Sequence, residues 1–489
     1  MKIRLLSALV VAGLALIASA GGVGATESNY WPFWVERTDA LTGLTTTSAL
    51  GPLYFTQSTP DGLEISGFRP FWDDVRRMEG DSQLAGSFGY PLAHWESDPA
   101  TGYDKWTIFN LINFDQLSPE GPSGFDIWPF YFSRDSGDEA TSYRALFPLY
   151  GDITHRFSQD RFNWVLFPLY GRFQKGDAVT TTTPWPFIKT VTGEGHRGFE
   201  LWPLGGYREE TGVTTDAFAL WPLLYRQQTH LDAPLSSLKA GFLPFYALDR
   251  QPGYRSETYL WPFFGYVDRT APYRYHARHY LWPLWVQGHG DDRSINRWAP
   301  FYSHSRIKGH DKTWVLWPLW RQATWTDATL QHERRQFLYF LYHETTQRDR
   351  VNPDLAPARK THVWPLFSSW DNGAGQKQWQ TLSPIEVFLP HQERTRRLWS
   401  PLFALYRFNQ TAPGETRRSL LWDAVTYARS EELDTREFHL GPLLGFSSHA
   451  DGERIGFLTG LFGFQRAPTQ KVWRPFIGRQ QPASLSLTP

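Results

Sequence analysis

The chain of 489 residues contains no cysteine and only two methionines. Without cysteine, no disulfide can form, and catalysis or metal binding that needs a thiolate is excluded. A lipid anchor attached through cysteine is excluded for the same reason. The stability of an exported chain of this composition must therefore come from packing and backbone pairing.

The chain also lacks an excess of charge of either sign. It has 49 basic and 49 acidic residues. Removal of the leader described below takes away Lys2 and Arg4, so that 49 − 2 = 47 basic residues remain against 49 acidic ones, a net charge of about −2. Because sequence-independent binding to nucleic acid depends on an excess of lysine and arginine, no nucleic-acid partner is predicted.

Long apolar runs are missing after the first 25 residues. Residues 1–25 are typical of a secretory signal: Lys2 and Arg4 precede an apolar run over 5–18, and Ala18-Ser19-Ala20 is a small-x-small cleavage site. The alternative is an uncleaved membrane anchor. No later segment approaches the roughly 18 apolar residues that a transmembrane helix needs. The pattern predicts an exported protein of the periplasm or outer membrane of a bacterial envelope.

Recognisable catalytic motifs are missing as well. The sequence has no Gly-x-Ser-x-Gly elbow, no phosphate loop and no His-Glu-x-x-His motif. The pairs His276 with His279 and His304 with His310 have no recognised ligand spacing and are interpreted as solvated histidines in connections. The sequence therefore predicts no catalytic residue, no metal and no cofactor, and it favours a protein that is not an enzyme.

Three groups of charged residues are candidates for sites, but each is more simply interpreted as solvated. The acidic clusters are expected to be turn residues rather than a hydrolytic carboxylate pair. The recurrent arginines are expected to form a solvated rim at strand ends, with a track for a polyanion as the alternative. The acidic clusters are Asp73 with Asp74, and Glu431 and Glu432 with Asp434; the arginines are Arg226, Arg269, Arg321, Arg407 and Arg466.

Aromatic residues, by contrast, are abundant: they make up 17% of the chain and include 24 tryptophans. Many of the tryptophans belong to a repeated motif. The clearest copy is Leu201-Trp202-Pro203-Leu204. Looser copies keep the proline and the large apolar residue that follows it. The Trp-Pro pairs, to which we assign a structural role, are Trp128 with Pro129, Trp185 with Pro186, Trp202 with Pro203, Trp221 with Pro222, Trp261 with Pro262, Trp282 with Pro283, Trp317 with Pro318, and Trp364 with Pro365.

The repeat has a period of about 19 residues between positions 129 and 318. Aromatic and branched residues bounded by charges are typical of strands, and short connections such as Gln251-Pro252-Gly253 join antiparallel neighbours. The sequence therefore predicts an all-β protein, in which tandem Trp-Pro repeats form a large antiparallel meander of roughly 20 to 24 strands. The meander could be barrel-like, propeller-like or layered.

The position of the proline leaves two alternatives open. A proline inside a paired strand removes one hydrogen bond of the ladder. Either the prolines form a belt of kinks or bulges in mid-strand, or each repeat is two short strands, with the proline at the start of the second.

The predicted organisation is a signal peptide over 1–25, a β-repeat body over 26–479 and a disordered tail over 480–489. Irregular or polar stretches at 98–124 and 344–360 are possible subdivisions of the body.

The predicted function is that of a non-enzymatic, exported cell-envelope protein that acts as a scaffold or a binding surface. Possible partners are a glycan, a lipid or another envelope protein, because tryptophan and tyrosine suit half-wet surfaces. The alternative is an outer-membrane β-barrel pore or transport protein, and a hydrolase on a β-repeat scaffold is a third hypothesis.

Overall fold

The computed structural model describes residues 27–39, 43–79, 82–231, 236–388, 393–450 and 452–477. The predicted signal peptide and the predicted disordered tail lie outside the described residues. The chain divides into two compact units: unit 1 comprises Met1–Trp95 and Phe340–Pro489, and unit 2 comprises Glu96–Tyr339. These boundaries lie near the stretches 98–124 and 344–360.

The first part of unit 1 contains β1 (Glu27–Tyr30), β2 (Trp34–Thr38), β3 (Thr45–Ala49), β4 (Tyr54–Ser58), β5 (Leu63–Phe68), β6 (Trp72–Arg77) and β7 (Ser82–Phe88), and β8 (Ala93–Asp98) lies at the unit boundary.

Unit 2 contains β9 (Tyr103–Ile108), β10 (Ile112–Gln116), β11 (Ser123–Ile127), β12 (Tyr131–Asp135), β13 (Tyr143–Leu146), β14 (Tyr150–Arg156), β15 (Gln159–Val165), β16 (Tyr170–Lys175), β17 (Ala178–Thr182), β18 (Ile188–Gly193), β19 (His196–Leu201), β20 (Gly205–Glu210), β21 (Thr214–Ala219), β22 (Leu224–Thr229), β23 (Ser237–Phe242), β24 (Tyr246–Gln251), β25 (Tyr254–Tyr259), β26 (Phe264–Arg269), β27 (Tyr275–Leu281), β28 (Trp285–Gly290), β29 (Arg293–Trp298), β30 (Tyr302–Ile307), β31 (His310–Val315), β32 (Trp320–Thr326) and β33 (Leu330–Phe337).

The second part of unit 1 contains β34 (Tyr342–Asp349), β35 (Ala358–Val363), β36 (Phe367–Asp371), β37 (Lys377–Thr381), the short helices α1 (Glu393–Leu398) and α2 (Ser400–Phe403), β38 (Tyr406–Ala412), β39 (Glu415–Leu420), β40 (Val425–Ser430), β41 (Thr435–Leu440), β42 (Leu444–His449), β43 (Gly452–Phe457), β44 (Phe462–Arg466) and β45 (Arg474–Ile477).

Within each unit, consecutive strands pair in antiparallel register, as β20 with β21 and β21 with β22 do in unit 2. The prediction of an all-β antiparallel meander with a Trp-Pro repeat is confirmed. The predicted number of 20 to 24 strands is wrong, since the described residues form 45 strands. The difference arises because each repeat contributes two strands of about six residues.

The repeated prolines of unit 2 lie in turns between strands, so the alternative of a mid-strand belt is wrong; Pro475 of unit 1 is an exception, because it lies within β45. In Leu220-Trp221-Pro222-Leu223, the backbone N–H of Leu223 donates to the carbonyl of Leu220 at 2.8 Å. The tryptophan and the proline are the two central residues of this turn, and the peptide bond between them is cis. Because proline has no N–H, its position in a turn removes no donor from the strand ladder.

The first and last described strands do not pair with each other. β1 pairs with β2, and β45 pairs with β44. The meander is therefore not closed by its two ends within the part of the chain that the structure describes.

Buried apolar residues of unit 2 are concentrated near its start. Phe132, Tyr143, Ala145, Ile153 and Trp164 form one cluster, in which Trp164 is 1% exposed. Most side chains in the later strands of unit 2 are half-buried or exposed, for example along β19 and β22.

Candidate interaction edge of unit 2

Connections in the meander alternate between the two edges of the sheet, because consecutive strands run in opposite directions. Eleven proline-containing turns of unit 2 each join an odd-numbered strand to the following even-numbered strand, and they therefore share one edge. We call this row of turns the apolar edge. Its prolines are Pro129, Pro148, Pro168, Pro186, Pro203, Pro222, Pro244, Pro262, Pro283, Pro300 and Pro318.

The residue after each of these prolines is a leucine or phenylalanine whose exposed fraction lies between 37% (Leu319) and 66% (Phe301). All eleven are therefore open to the surroundings of the unit. They are Phe130, Leu149, Leu169, Phe187, Leu204, Leu223, Phe245, Phe263, Leu284, Phe301 and Leu319. These residues were not among the predicted site residues, although their recurrence at one motif position was a visible signal.

The predicted Trp-Pro pairs lie in the same row, with the exception of Trp364 and Pro365, which form the corresponding turn in unit 1. The exposed fraction is 43% for Trp128 and 55% for Trp317. Trp185, Trp221, Trp261 and Trp282 lie between these two values, and Trp202 and Trp364 are half-buried. Six of the eight tryptophans are thus exposed at the surface.

The backbone of the tryptophans links neighbouring turns. The N–H of Trp221 donates to the carbonyl of Pro203 at 2.8 Å, and the N–H of Trp261 donates to that of Pro244 at 2.7 Å. The rings of Trp202 and Trp221 contact each other, with 6.1 Å between their centroids. The turns therefore form a continuous row in which the backbone is satisfied while the side chains remain available.

Aromatic residues beside the turns direct their polar atoms away from the apolar edge. The hydroxyl of Tyr259 donates to Glu257 at 2.5 Å, and the indole N–H of Trp298 donates to Asn296 at 2.9 Å. In both cases the acceptor lies two residues further from the turn. The ring thus adjoins the apolar edge, and its polar atom faces the middle of the strand.

The hydrogen bond between Tyr259 and Glu257 also sets the local electrostatics. It raises the pKa of Tyr259 to about 12, because the neighbouring carboxylate disfavours ionisation of the phenol. The same hydrogen bond is the largest cause that lowers the pKa of Glu257. Arg255 Nε donates to this carboxylate at 2.7 Å, so a row of charges begins directly behind the aromatic rings.

The opposite edge of unit 2 consists mainly of polar turns, such as Lys308-Gly309, where Gly309 has a φ of 74°. Large apolar residues are exposed there only at scattered positions, such as Leu117, Val213 and Ile307. The meander is therefore asymmetric across its width.

The structure corrects the interpretation of Asp73 and Asp74 as solvated turn residues. Both lie in β6 and are at most 1% exposed. Asp73 accepts from Ser87 and lies 3.2 Å from Arg394, whereas Asp74 accepts from Arg76 at 2.6 Å. Because successive residues of a strand point to opposite faces, the two carboxylates have separate partners and do not form a catalytic pair. The cluster of Glu431, Glu432 and Asp434 is exposed in a turn, as predicted.

The candidate histidines lie in strands and not in connections. His276 and His279 belong to β27, whereas His304 belongs to β30 and lies 3.0 Å from Asp311. His310 begins β31. Within the described ranges, no group of three or more histidine or acidic residues is arranged to hold a metal ion.

The recurrent arginines do not form a single solvated rim at strand ends. Arg269 and Arg466 end their strands, but Arg226 is the third residue of β22, and Arg321 the second of β32. Arg407 lines a cavity in unit 1.

Comparison of the chain with models of known protein families and with curated proteins finds no match. Among the described residues, none of the helices has the length and apolar character needed to cross a membrane.

Proposed function

We propose that this chain is an exported, non-enzymatic binding protein of the bacterial cell envelope, which attaches to a membrane surface through the apolar edge of unit 2. The observation that carries the proposal is the exposure of the leucine or phenylalanine after each of the eleven prolines of the apolar edge. Contiguous exposed apolar surface on this scale is a feature of interaction sites.

A lipid interface is favoured as the partner by the layering behind the turns. The exposed leucines and phenylalanines come first, then rings such as those of Tyr259 and Trp298, then charges such as Glu257. Tryptophan and tyrosine are enriched at the level of lipid headgroups because one end of each ring is apolar and the other polar. The export predicted from residues 1–25 would bring the edge to an envelope membrane.

The lengths of the strands favour attachment at the surface over a crossing. Strands of unit 2 contain between four residues, in β13, and eight residues, in β33. Such strands extend about 13–27 Å, whereas the hydrocarbon core of a bilayer is about 30 Å thick. The polar turns at the opposite edge would stay in water.

The energy available from this edge is sufficient for binding. Full burial of a leucine or phenylalanine side chain contributes about 1.5–3 kcal/mol, so a side chain that is half exposed has about 1 kcal/mol left to gain. Replacement of Phe263, Leu284 and Phe301 by serine should therefore weaken the partition into vesicles by about 3 kcal/mol, or roughly 100-fold.

The test is flotation of the mature protein with vesicles of phosphatidylethanolamine and phosphatidylglycerol. We expect the wild type to float with the vesicles and the triple serine variant to stay behind. The matched control replaces Leu117, Val213 and Ile307 by serine, since these residues are also exposed but lie on the opposite edge; it should float like the wild type. A wild type that stays in solution, or two variants that behave alike, would overturn the proposal.

A second measurement distinguishes membrane attachment from contact between protein chains. Lipids brominated at defined depths should quench the tryptophan fluorescence most strongly near the headgroups. Edge-dependent self-association in solution without quenching would instead identify a second copy of the chain as the partner.

A further inference from the structure

Unit 1 contains a cavity of about 620 Å³ that is independent of the apolar edge of unit 2. It is lined by Arg37 from β2, Arg69 from the turn after β5, Arg407 from β38 and Arg417 from β39. Ligand pockets for small organic molecules typically have volumes of about 300–1,000 Å³. The cavity is therefore large enough to hold such a molecule.

Two of the cationic groups of the lining already have acidic partners. Arg417 donates to Glu27 at 3.0 Å and contacts Asp423 at 2.9 Å, and its side chain is only 12% exposed. These two carboxylates raise the pKa of Arg417 against the effect of burial. Lys377 lies 3.1 Å from Asp371. Neither Arg417 nor Lys377 requires a further counter-ion.

The other three arginines form no ion pair with a carboxylate among the described residues. Arg69 donates to the carbonyls of Pro52 and Arg397, both at 2.8 Å, and its guanidinium lies 3.9 Å from the centre of the Phe55 ring. Carbonyls and an aromatic ring satisfy the geometry of this guanidinium without neutralising its charge.

Arg37 and Arg407 likewise form no salt bridge with a carboxylate among the described residues, although carboxylates lie near enough to act on both. The Nε of Arg37 is buried and has no hydrogen-bond partner in the described part of the chain. Arg407 contacts the side-chain amide of Gln378, whose oxygen accepts from Nε at 3.1 Å and from Nη2 at 2.6 Å in the orientation that satisfies both groups. A neutral amide again leaves the guanidinium charge uncompensated.

The cluster therefore carries an excess of positive charge. The lining contains four arginines and Lys377 but one carboxylate, Asp423. Carboxylates outside the lining also attract these groups: Asp39 and Glu437 act on Arg37, and Glu386 acts on Arg407. Burial lowers the pKa of Arg69 to about 9, and repulsion from Arg407 acts in the same direction. Burial also lowers the pKa values of Arg37 and Arg407; a neighbouring arginine lowers each further, whereas nearby carboxylates act in the opposite direction. An anion in the cavity would remove this repulsion.

We propose that the cavity of unit 1 binds a small organic anion through a phosphate group, held by the guanidinium groups of Arg37, Arg69 and Arg407. A phosphate monoester, with a charge of about −1.5 to −2, would bring negative charge to a lining that is rich in arginine. Guanidinium groups match phosphate oxygens with paired hydrogen bonds. Val35, Trp370 and Trp422 also line the cavity and offer apolar surface to the organic part of the ligand.

The test is calorimetric titration of the mature protein with inorganic phosphate and with inorganic pyrophosphate, at an ionic strength held constant with sodium chloride. We expect binding at one site per chain. Arg407→Met should weaken the binding at least tenfold, and so should Arg37→Met, which serves as a second variant if the first does not fold. Malonate, a dianion with carboxylate groups, should bind at least tenfold more weakly.

The matched control is Lys377→Met, because Lys377 lines the same cavity but is already paired with Asp371. It should change the affinity for pyrophosphate less than threefold. Absence of binding by the wild type, or equal losses in Lys377→Met and Arg407→Met, would overturn the proposal. Equal binding of malonate would overturn the assignment to phosphate.

Thermal unfolding distinguishes anion binding by Arg407 from a purely structural role of this residue. Without an anion, Arg407→Met should unfold at about the same temperature as the wild type, because relief from burial of the charge and from repulsion by other arginines offsets the lost attraction of Asp423 and Glu386. Addition of pyrophosphate should raise the unfolding temperature of the wild type more than that of the variant. A variant that is destabilised but binds pyrophosphate like the wild type would show that Arg407 has only a structural role.

Discussion

Unit 1 and unit 2 contain the same repeat but bury different groups. The position after the proline is exposed in all eleven turns of the apolar edge in unit 2. In unit 1 the same position varies: Leu443 is 58% exposed, but Phe476 is only 6% exposed. Pro475 and Phe476 lie within β45 and not in a turn, so the exposure of the residue after the proline depends on the structure around the motif as well as on the motif itself.

The two units also differ in buried charge. Among the described residues, unit 1 holds five carboxylates that are at most 2% exposed: Glu27, Asp73, Asp74, Glu386 and Glu437. Unit 2 has Glu257, at 5%. Helix α1, which precedes β38, places Arg394 beside Asp73 and Arg396 3.5 Å from Glu386. Unit 1 is therefore built around polar contacts between distant segments, and unit 2 around local pairing of strands.

The largest expected effect comes from removal of one partner of a buried ion pair. Arg417→Met leaves Glu27 and Asp423 without their shared cation, and we expect a loss of about 3–5 kcal/mol in the free energy of unfolding. The matched change in unit 2 is Arg161→Met, since Arg161 pairs with Asp152 at the surface, with side chains 54% and 30% exposed. It should cost about 1 kcal/mol or less.

Urea unfolding followed by tryptophan fluorescence measures both losses. Similar losses in the two variants would contradict the view that the units differ in how they use charge.

The next effect is a dependence of stability on pH that originates in unit 1. Burial raises the pKa of Glu27, but Arg417 and other partners outweigh burial and lower it from 4.5 to about 2. Because the pKa in the folded state is depressed, the stabilisation is complete above pH 4.5 and is lost as the pH falls toward 2. A shift of this size corresponds to about 3 kcal/mol.

Unfolding free energies of the wild type and of Glu27→Gln at pH 6 and pH 3 test this. The loss on acidification should be about 2 kcal/mol smaller in Glu27→Gln, because at pH 3 a carboxylate with a folded-state pKa of about 2 is still mostly ionised and keeps part of its stabilisation. Glu431→Gln removes a carboxylate whose side chain is 60% exposed, and this variant should lose as much unfolding free energy on acidification as the wild type does. Equal losses in all three proteins would rule out a role for Glu27.

The local features of the fold could be predicted from the sequence because they depend on residues close together in the chain. Pairs such as Trp221-Pro222 and turns such as Gln251-Pro252-Gly253 indicate a meander without knowledge of distant contacts. The number of strands was wrong because an apolar run such as 259–267 reads as one strand, although its centre is a turn between β25 and β26.

The buried charges could not be predicted, since they depend on contacts between distant segments. Glu27 and Arg417 are 390 residues apart in the chain. Adjacent Asp73 and Asp74 resemble an exposed acidic pair until the strand direction and Arg394 are known. Likewise, Arg407 has the same local pattern as the arginines of unit 2, and only the folded unit places it in a cavity.

The smallest expected effect on stability concerns the residue that follows the proline of the motif, compared between the two units. Phe476, after Pro475, is 6% exposed and contacts the guanidinium of Arg454, 4.3 Å from its ring centre. Phe476→Ala should lower the free energy of unfolding by about 1.5–3 kcal/mol, the contribution expected from burial of a phenylalanine side chain. Phe301, after Pro300, is 66% exposed, and Phe301→Ala should change the free energy of unfolding by less than about 0.5 kcal/mol.

Urea unfolding of both variants measures the two changes. A large loss in Phe301→Ala would show that the apolar edge is part of a core, and attachment of that edge to a membrane would then lose its physical basis.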